Sequence, residues 1–355
     1  MRHRQLPGIA GLITVSLLLA APFSMPQESG LSQRVTTLET QVAGLTAQLA
    51  ALTQSLTIDV NCAGGDSIQA TLNSPSVQNH PALVLINVFG VCSENLVVTR
   101  RVVIRAGAPG AGITAANHSQ NVVRSSNPGL GSTFLGLIGL TISGGSAGVL
   151  VDFATQVQLS NCVVSNNGTG IVVSHQGLVR LGETVVENNA ADGVSATNGA
   201  QVVVGGGAVR NNGRDGLSLN AGAAAALDGS AEIASNARYG ISLAAGSWLA
   251  LNAATITGSA LTGIFVGGAS TVALQKGATI TANTSSGISL MDTSLVTKHR
   301  GEADIHITNN GGYGVVCSGQ PAVAQIVGFT FETGDISGNA SGNINCPISP
   351  GPFSQ

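Results

Sequence analysis

The chain has 355 residues, 43% of them hydrophobic and only 9% charged, with 48 glycines and a formal net charge of −3. That apolar fraction supports a substantial core and excludes a disordered polyelectrolyte, and the absence of a basic excess excludes a nucleic-acid partner. The abundant small and β-branched residues suit many short strands joined by tight bends.

Residues 1–24 have the pattern of an export segment. Arg2 and Arg4 precede an apolar run from Ile9 to Ala21, which is shorter than the roughly 20 residues needed to span a bilayer. Either the segment is a signal that is removed, or it is retained as an anchor; membrane association follows only in the second case. Both routes lead to a secreted, periplasmic or cell-surface location.

Residues 25–57 carry a heptad pattern. Leu31, Val35, Leu38, Val42, Leu45, Leu49, Leu52 and Leu56 alternate steps of four and three, the seam of a coiled coil. Val at early a positions with Leu at d favours a parallel dimer. Arg34 and Glu39 fall at g and the following e, the spacing of an interchain ion pair. Residues 31–56 therefore form either a homo-oligomerising coil, or a single amphipathic helix that caps the next domain or serves as a flexible stalk.

Residues 58–346 are repetitive. Leu83 to Ile86, Leu96 to Val98 and Val102 to Ile104 read as short strands, and Ser67 to Leu72 as a short helix covering the first edge. An apolar phrase opened by glycine then returns about every 23 residues, the period of a solenoid. It runs Gly148-Val-Leu-Val, Gly170-Ile-Val-Val, Gly193-Val-Ser-Ala, Gly216-Leu-Ser-Leu, Gly240-Ile-Ser-Leu, Gly263-Ile-Phe-Val, Gly287-Ile-Ser-Leu and Gly314-Val-Val-Cys.

Stacked in register, the repeats form columns. The residues after each glycine are Val149, Ile171, Val194, Leu217, Ile241, Ile264, Ile288 and Val315. A second column runs Val164, Val186, Val209, Ile233, Ile256, Ile280, Ile307 and Ile336. A third runs Leu159, Leu181, Val204, Leu227, Leu251 and Leu274. Three residues past the second column stand Asn167, Asn189, Asn212, Asn236, Ser259, Asn283, Asn310 and Asn339. Asn suits the left-handed backbone of a sharp bend, and stacked amides can bond from coil to coil as a ladder.

The cysteines belong to an oxidising compartment. Cys317 and Cys346 follow Gly314 and Gly342 at similar offsets, which places them on adjacent coils. Cys62 and Cys92 both fall in the first part of the repeat region. The expected pairs are Cys317–Cys346 and Cys62–Cys92, with Cys162 a buried free thiol. Residues 347–355 carry three prolines and read as a flexible tail.

The glycine-led phrases, the period and the asparagine column resemble the right-handed parallel β-helix of the pectin-lyase-like superfamily. The resemblance implies an all-β solenoid of about eleven coils, each rising about 4.8 Å, behind the N-terminal helical segment. It also implies lyases, polygalacturonases and epimerases among the relatives, whose local signatures can be sought. Asn-Thr-Asp, Asp-Asp, Gly-His-Gly, Arg-Ile-Lys and Asp-Pro-His-Asp do not occur. The outward column of the glycine-led strands, Leu150, Val172, Ser195, Ser218, Ser242, Phe265, Ser289 and Val316, has no ionisable group, whereas acid–base chemistry needs one within reach of the scissile bond.

Two polar clusters remain as candidates. Asp192 and Asp215 each precede a repeat glycine, with Arg214 and Arg238 beside them. On adjacent coils the carboxylates would stand about 5 Å apart, as in a retaining glycosidase; the competing reading is a surface ion ladder. Asp292, Lys298, His299, Arg300, Glu302, Asp304 and His306 lie in an enlarged coil. Lys298 or Arg300 is its candidate base, Asp292, His299, Glu302, Asp304 and His306 its candidate ligand contacts, and Glu302 with Asp304 a conceivable divalent pair. The competing reading is a solvated loop. His175 reads as an exposed spacer on a bend, and Tyr239 and Tyr313 as turn packing.

No cofactor and no dedicated metal site are expected. The leading expectation is an exported, non-catalytic β-helix module for structure or binding, with a polysaccharide or cell-surface partner. The alternative is a polysaccharide lyase or glycoside hydrolase with an atypical site in one of the two clusters.

Overall fold

The computed structural model describes residues 36–44, 46, 55–126, 133–298, 304–318, 325–327 and 335–346. The export segment 1–24, most of the heptad positions (Leu31, Arg34, Val35, Leu45, Leu49 and Leu52), the tail 347–355, and His299, Arg300 and Glu302 lie outside the described residues. The chain divides into two units, Met1–Thr53 and Gln54–Gln355.

In the first unit residues 36–44 and 46 are helical and exposed. Thr40 and Thr46 turn their hydroxyls back onto the carbonyls of Thr36 and Val42, at 2.8 and 2.7 Å. Leu56 does not belong to this helix. It opens the strand Leu56–Asn61 and pairs with Val84, so the heptad pattern extends no further than Leu52.

The second unit is a parallel β-solenoid. Each coil after the first contributes one strand to each of three sheets, while the first contributes Leu56–Asn61 and then helices. Among the described residues the first sheet has twelve strands, from Leu56–Asn61 to Gln325–Val327. The second has eleven, from Val91–Ser93 to Ile336–Ser337, and the third eleven, from Leu96–Val98 to Gly342–Asn345. Every strand pair is parallel, because each neighbour is the same segment one coil later.

The expected columns are the observed register. Val149 faces Ile171, then Val194, Leu217, Ile241, Ile264, Ile288 and Val315 in the third sheet. Val164 to Ile336 align in the second, and Leu159 to Leu274 in the first. All three columns are buried in one continuous core. Since side chains alternate along a strand, a one-residue slip would turn a whole column into water, and this pins the register.

The glycines that open the phrases are needed for space. A Cβ on Gly148, Gly170, Gly193, Gly216, Gly240, Gly263 or Gly287 would lie 2.5–2.8 Å from the carbonyl oxygen of the next glycine in the series. It would also meet the second-column side chain and the ladder residue of the following coil. The asparagines form the ladder: Asn167 donates its amide to Asn189 Oδ1 at 3.1 Å, Asn189 to Asn212 at 3.0 Å, and Asn212 to Asn236 at 3.0 Å. Asn283, Asn310 and Asn339 continue it at 2.9 Å per step. Each buried amide also accepts a backbone N–H from the coil before it, as Asn189 does from Asn167.

The left-handed bend expected at the ladder asparagine falls one residue earlier. The left-handed position is the residue before each ladder asparagine: Asn166, Asn188, Asn211, Ser235, Gly258, Ala282, Asn309 and Gly338 have φ between 53° and 67°. The ladder asparagine itself is selected for its amide, which works in both directions.

Ser259 interrupts the ladder. Its buried hydroxyl has no partner, and Asn236 Nδ2 donates only to Val209 O. Ser259 Oγ lies 2.9 Å from a Cβ built on Gly240, much as Asn236 Nδ2 lies 2.7 Å from one on Gly216. An amide therefore fits the same recess. Ser259→Asn is expected to stabilise the fold by about 1–2 kcal/mol through two recovered buried bonds, read as a raised denaturation midpoint. An unchanged or lowered midpoint would contradict this.

The N-terminal edge is covered. Helix Ile68–Asn73 is capped by Ser67 and by Glu94, whose carboxylate accepts the N–H groups of Ile68 and Gln69 at 2.8 and 2.9 Å. Gln69 bonds both backbone groups of Val97 on the edge strand of the third sheet, taking the place of a missing strand. Cys62–Cys92 and Cys317–Cys346 are the disulfides, with Cα separations of 5.1 and 4.9 Å. Cys162 is free and buried, and burial pushes its thiol pKa up.

Candidate functional site

A polar and aromatic grouping off the core sits where the glycine-led strands begin. Asp192 and Asp215 occupy the same place on successive coils, and both are buried. Asp192 Oδ1 accepts the N–H of Asp215 at 3.1 Å. Asp215 Oδ1 accepts the N–H of Tyr239, one coil further, at 3.2 Å. Two coils on, Ser286 Oγ accepts the N–H of Tyr313 at 3.1 Å. A hydroxyl thus does at one coil what the carboxylates do at others: it satisfies a rung-to-rung N–H at a corner where strand pairing lapses.

Asp215 is the more heavily engaged. Arg238 approaches it with two nitrogens, Nε at 2.7 Å from Oδ1 and Nη2 on Oδ2, and Ser242 Oγ donates to Oδ2 at 2.7 Å. This hydrogen bonding raises the Arg238 pKa above its ordinary value. Asp192 has only the more exposed Arg214, with Nε at 3.5 Å. Its carboxyl is held above the usual range, first by desolvation and also by the neighbouring Asp215.

The Asp192 shift has a consequence for stability. The folded protein binds the Asp192 proton more tightly than the unfolded chain does. The resulting stabilisation is full below the ordinary pKa of 3.8 and is lost as pH rises through the raised folded value. Asp192→Asn is expected to remove that component, so denaturation midpoints of variant and parent should converge at low pH and separate in the variant's favour above the folded pKa. A variant less stable than the parent at neutral pH would sink this reading.

An aromatic patch adjoins the pair. Arg238 lies over the Tyr239 ring at 5.0 Å, and Tyr239 stacks on Phe265 of the following coil at 5.0 Å and 12°. Phe265 belongs to the outer column of the third sheet, in register with Ser242 and Ser289. Tyr239 is thus more than turn packing: it extends the outer wall sideways. The signal was present in the one-coil step between Tyr239 and Phe265, but which ring leans towards the other depends on side-chain rotamers. The wall is also less quiet than the sequence reading held. Its column continues through Leu150 to Arg124 and Val97, so an ionisable group stands near the N-terminal end.

The described members of the second cluster, Asp292, Lys298, Asp304 and His306, do not share one loop. Asp292 is an exposed corner residue with φ 52°. Lys298 is in register with Leu274, at the end of the inward leucine column, and its ammonium bonds Asp335 with both side chains largely buried. Asp304 and His306 are exposed where the second sheet resumes. Among the described residues, one trio of metal-type side chains converges, Cys62, Cys92 and Glu94. Its sulfurs form a disulfide, and its carboxylate caps a helix.

His175 is also more than a spacer. Its Nδ1 lies 2.7 Å from Asp152 Oδ1, which also accepts from Ser174 Oγ at 2.9 Å. Its ring stacks on Phe153 at 5.2 Å. Both corner residues are left-handed, with φ 46° and 51°, and the contacts hold a backbone shape that bulky side chains disfavour.

Residues 129–276 match the family described as right handed beta helix region. Among solved structures, the A-module of the mannuronan C-5 epimerase AlgE6 of Azotobacter vinelandii is similar, with 16% identity and a TM-score of 0.51 over 80% of this chain and 94% of that one. The A-module of AlgE4 from the same organism is 16% identical, with a TM-score of 0.49 over 81% and 94%. No curated protein sequence matches the chain. With its three parallel sheets and stacked columns, the second unit folds as a parallel β-helix, and its residues 129–276 are those that match the right handed beta helix region.

Proposed function

We propose that this chain is an exported, non-catalytic β-helix module that binds polysaccharide along the outer wall of the third sheet, centred on Tyr239, Phe265 and the flanking serines. The observation that carries the reading is the commitment of Asp192 and Asp215 to the backbone of the next coil. Carboxylates that hold a fold together are poorly placed to move protons on a substrate. Stacked rings beside a row of half-buried hydroxyls offer a sugar an apolar face and hydrogen-bond partners together. The two disulfides fit an oxidising compartment. No helix among the described residues is long and apolar enough to cross a membrane.

A lyase or hydrolase is the second reading. It is favoured by the raised Asp192 carboxyl beside the arginine-bound Asp215, two carboxyls whose surroundings differ as those of an acid and its partner do.

One panel separates the two. Affinity electrophoresis against mannuronan, polygalacturonate and neutral glucans is run beside assays for reducing ends and unsaturated uronates. Binding without product, reduced at least about tenfold by Phe265→Ala, is expected. Product that disappears in Asp192→Asn would overturn the proposal in favour of the enzyme.

A further inference from the structure

We infer that the polysaccharide taken by the outer wall of the third sheet is an uncharged glucan, and that the wall turns polyuronates away. This rests on the reading of the wall as a sugar-binding face and names the class of sugar. A polyuronate carries a negative charge on every residue, and a protein holds such a chain with guanidinium or ammonium groups that are free to pair with it.

The wall offers no such group. Between the coil of Leu150 and the coil of Val316, the basic side chains bordering this sheet are, among the described residues, His175, Arg214 and Arg238. Each already faces a carboxylate of the protein. Arg238 sets Nε 2.7 Å from Asp215 Oδ1 and Nη2 on Oδ2. Asp215 is fully buried, so turning that fork towards a ligand would strand a buried charge. Arg214 lies 3.5 Å from Asp192, and His175 2.7 Å from Asp152. Arg180, Arg210, Lys276 and Lys298 belong to the other two sheets or to the corner between them. The bordering charge that has no side-chain partner among the described residues is negative: Asp292, exposed one residue past the strand that carries Ser289. Arg124 shares the column of Phe265 but stands six coils away, about 29 Å at one strand spacing per coil.

What the wall does offer suits a neutral chain. Ser195, Ser218 and Ser289 stand in one column with Phe265. They are half-buried, and their hydroxyls make no hydrogen bond among the described residues. A hydroxyl both donates and accepts, as the hydroxyls of a sugar do. Tyr239 and Phe265 set a stacked pair of rings beside them. The negative face of an aromatic ring attracts the C–H face of a sugar whose hydroxyls are equatorial, as in a β-linked glucan.

The test is isothermal titration of the full chain with three soluble polymers: mixed-linkage β-glucan, polygalacturonate, and the same polygalacturonan fully methyl-esterified. Each is run in dilute buffer and in about 0.5 M sodium chloride. The β-glucan is expected to bind, with an affinity that changes less than about twofold with salt. Polygalacturonate should bind at least about tenfold more weakly than its ester, which has the same backbone without the charge. Phe265→Ala should lower the glucan affinity at least about tenfold, with Phe265→Leu, which keeps bulk but not the ring, serving if the alanine variant does not fold. Polygalacturonate that binds more tightly than its ester, with an affinity that falls with salt, overturns the inference while leaving the wall a sugar-binding face. Glucan binding that survives loss of the ring puts the glucan elsewhere and also overturns it. Binding of none of the three polymers overturns the reading of the wall, and the inference with it.

Discussion

Gly216→Ala is expected to destabilise the solenoid by about 3 kcal/mol, although it adds one methyl group to a residue with ordinary backbone angles. A Cβ there would lie 2.5 Å from Ile233 Cγ2, 2.6 Å from the carbonyl oxygen of Gly240 and 2.7 Å from Asn236 Nδ2. The first belongs to a packed core column, the second to backbone and the third to the ladder, so none can yield cheaply. Relief requires the two coils to part, which also stretches the strand bonds between them. Gly205→Ala is the control: its nearest neighbour is 3.8 Å away, and it should change stability by no more than about 0.5 kcal/mol. Hydrogen exchange should place the Gly216→Ala opening in the coils on either side of the substitution, because each coil contacts only its neighbours. Equal melting of the two variants would refute the close-approach account of the glycine column.

Asn212→Ala is expected to cost about 3–5 kcal/mol, from several buried groups left unpaired at about 1–3 kcal/mol each. Asn212 Oδ1 accepts from the N–H and the amide of Asn189, at 3.2 and 3.0 Å. Its own amide donates to Asn236 Oδ1 and Val186 O, at 3.0 and 3.2 Å. Asn283 provides an internal comparison. Upstream of it stands Ser259, so Asn283 Oδ1 accepts only a backbone N–H. Asn283→Ala orphans fewer groups and should be milder than Asn212→Ala by about 1 kcal/mol. Chemical denaturation of the two variants measures the difference, and a greater loss at Asn283 would contradict a ladder whose members support one another.

These two expectations rest on different layers of information. The glycine and asparagine positions were visible as columns in the sequence, since a period-two strand pattern repeated once per coil leaves few ways to stack. Why the glycine must be glycine was not visible: it depends on the distance from one coil's carbonyl to the next coil's Cα. Likewise the left-handed residue proved to be Asn188 or Asn211 rather than the ladder asparagine beside it, because both positions carry asparagine and composition does not separate them. The wall's ionisable end at Arg124 was missed because its coil lacks the glycine-led phrase that aligned the others.

The clusters diverged further. Lys298 and Asp304 are close in sequence, yet the first joins the inward leucine column and the second lies where the second sheet resumes. Asp192 and Asp215 were correctly seen as stacked. Beside the arginines, however, each carboxylate also accepts a backbone N–H of the next coil, which no side-chain pattern announces. The stacking of Tyr239 on Phe265 and of His175 on Phe153 likewise joins rings on successive coils whose approach depends on corner geometry.

By itself the sequence determined the solenoid, its register and its two disulfides, because burying every other residue against a copy of itself one coil away admits a single alignment. Outside the periodic asparagine column, tertiary structure alone decided which polar groups are spent on the fold and which face outward. That choice turns on single hydrogen bonds from one coil to the next and on side-chain rotamers, neither of which repeats along the chain.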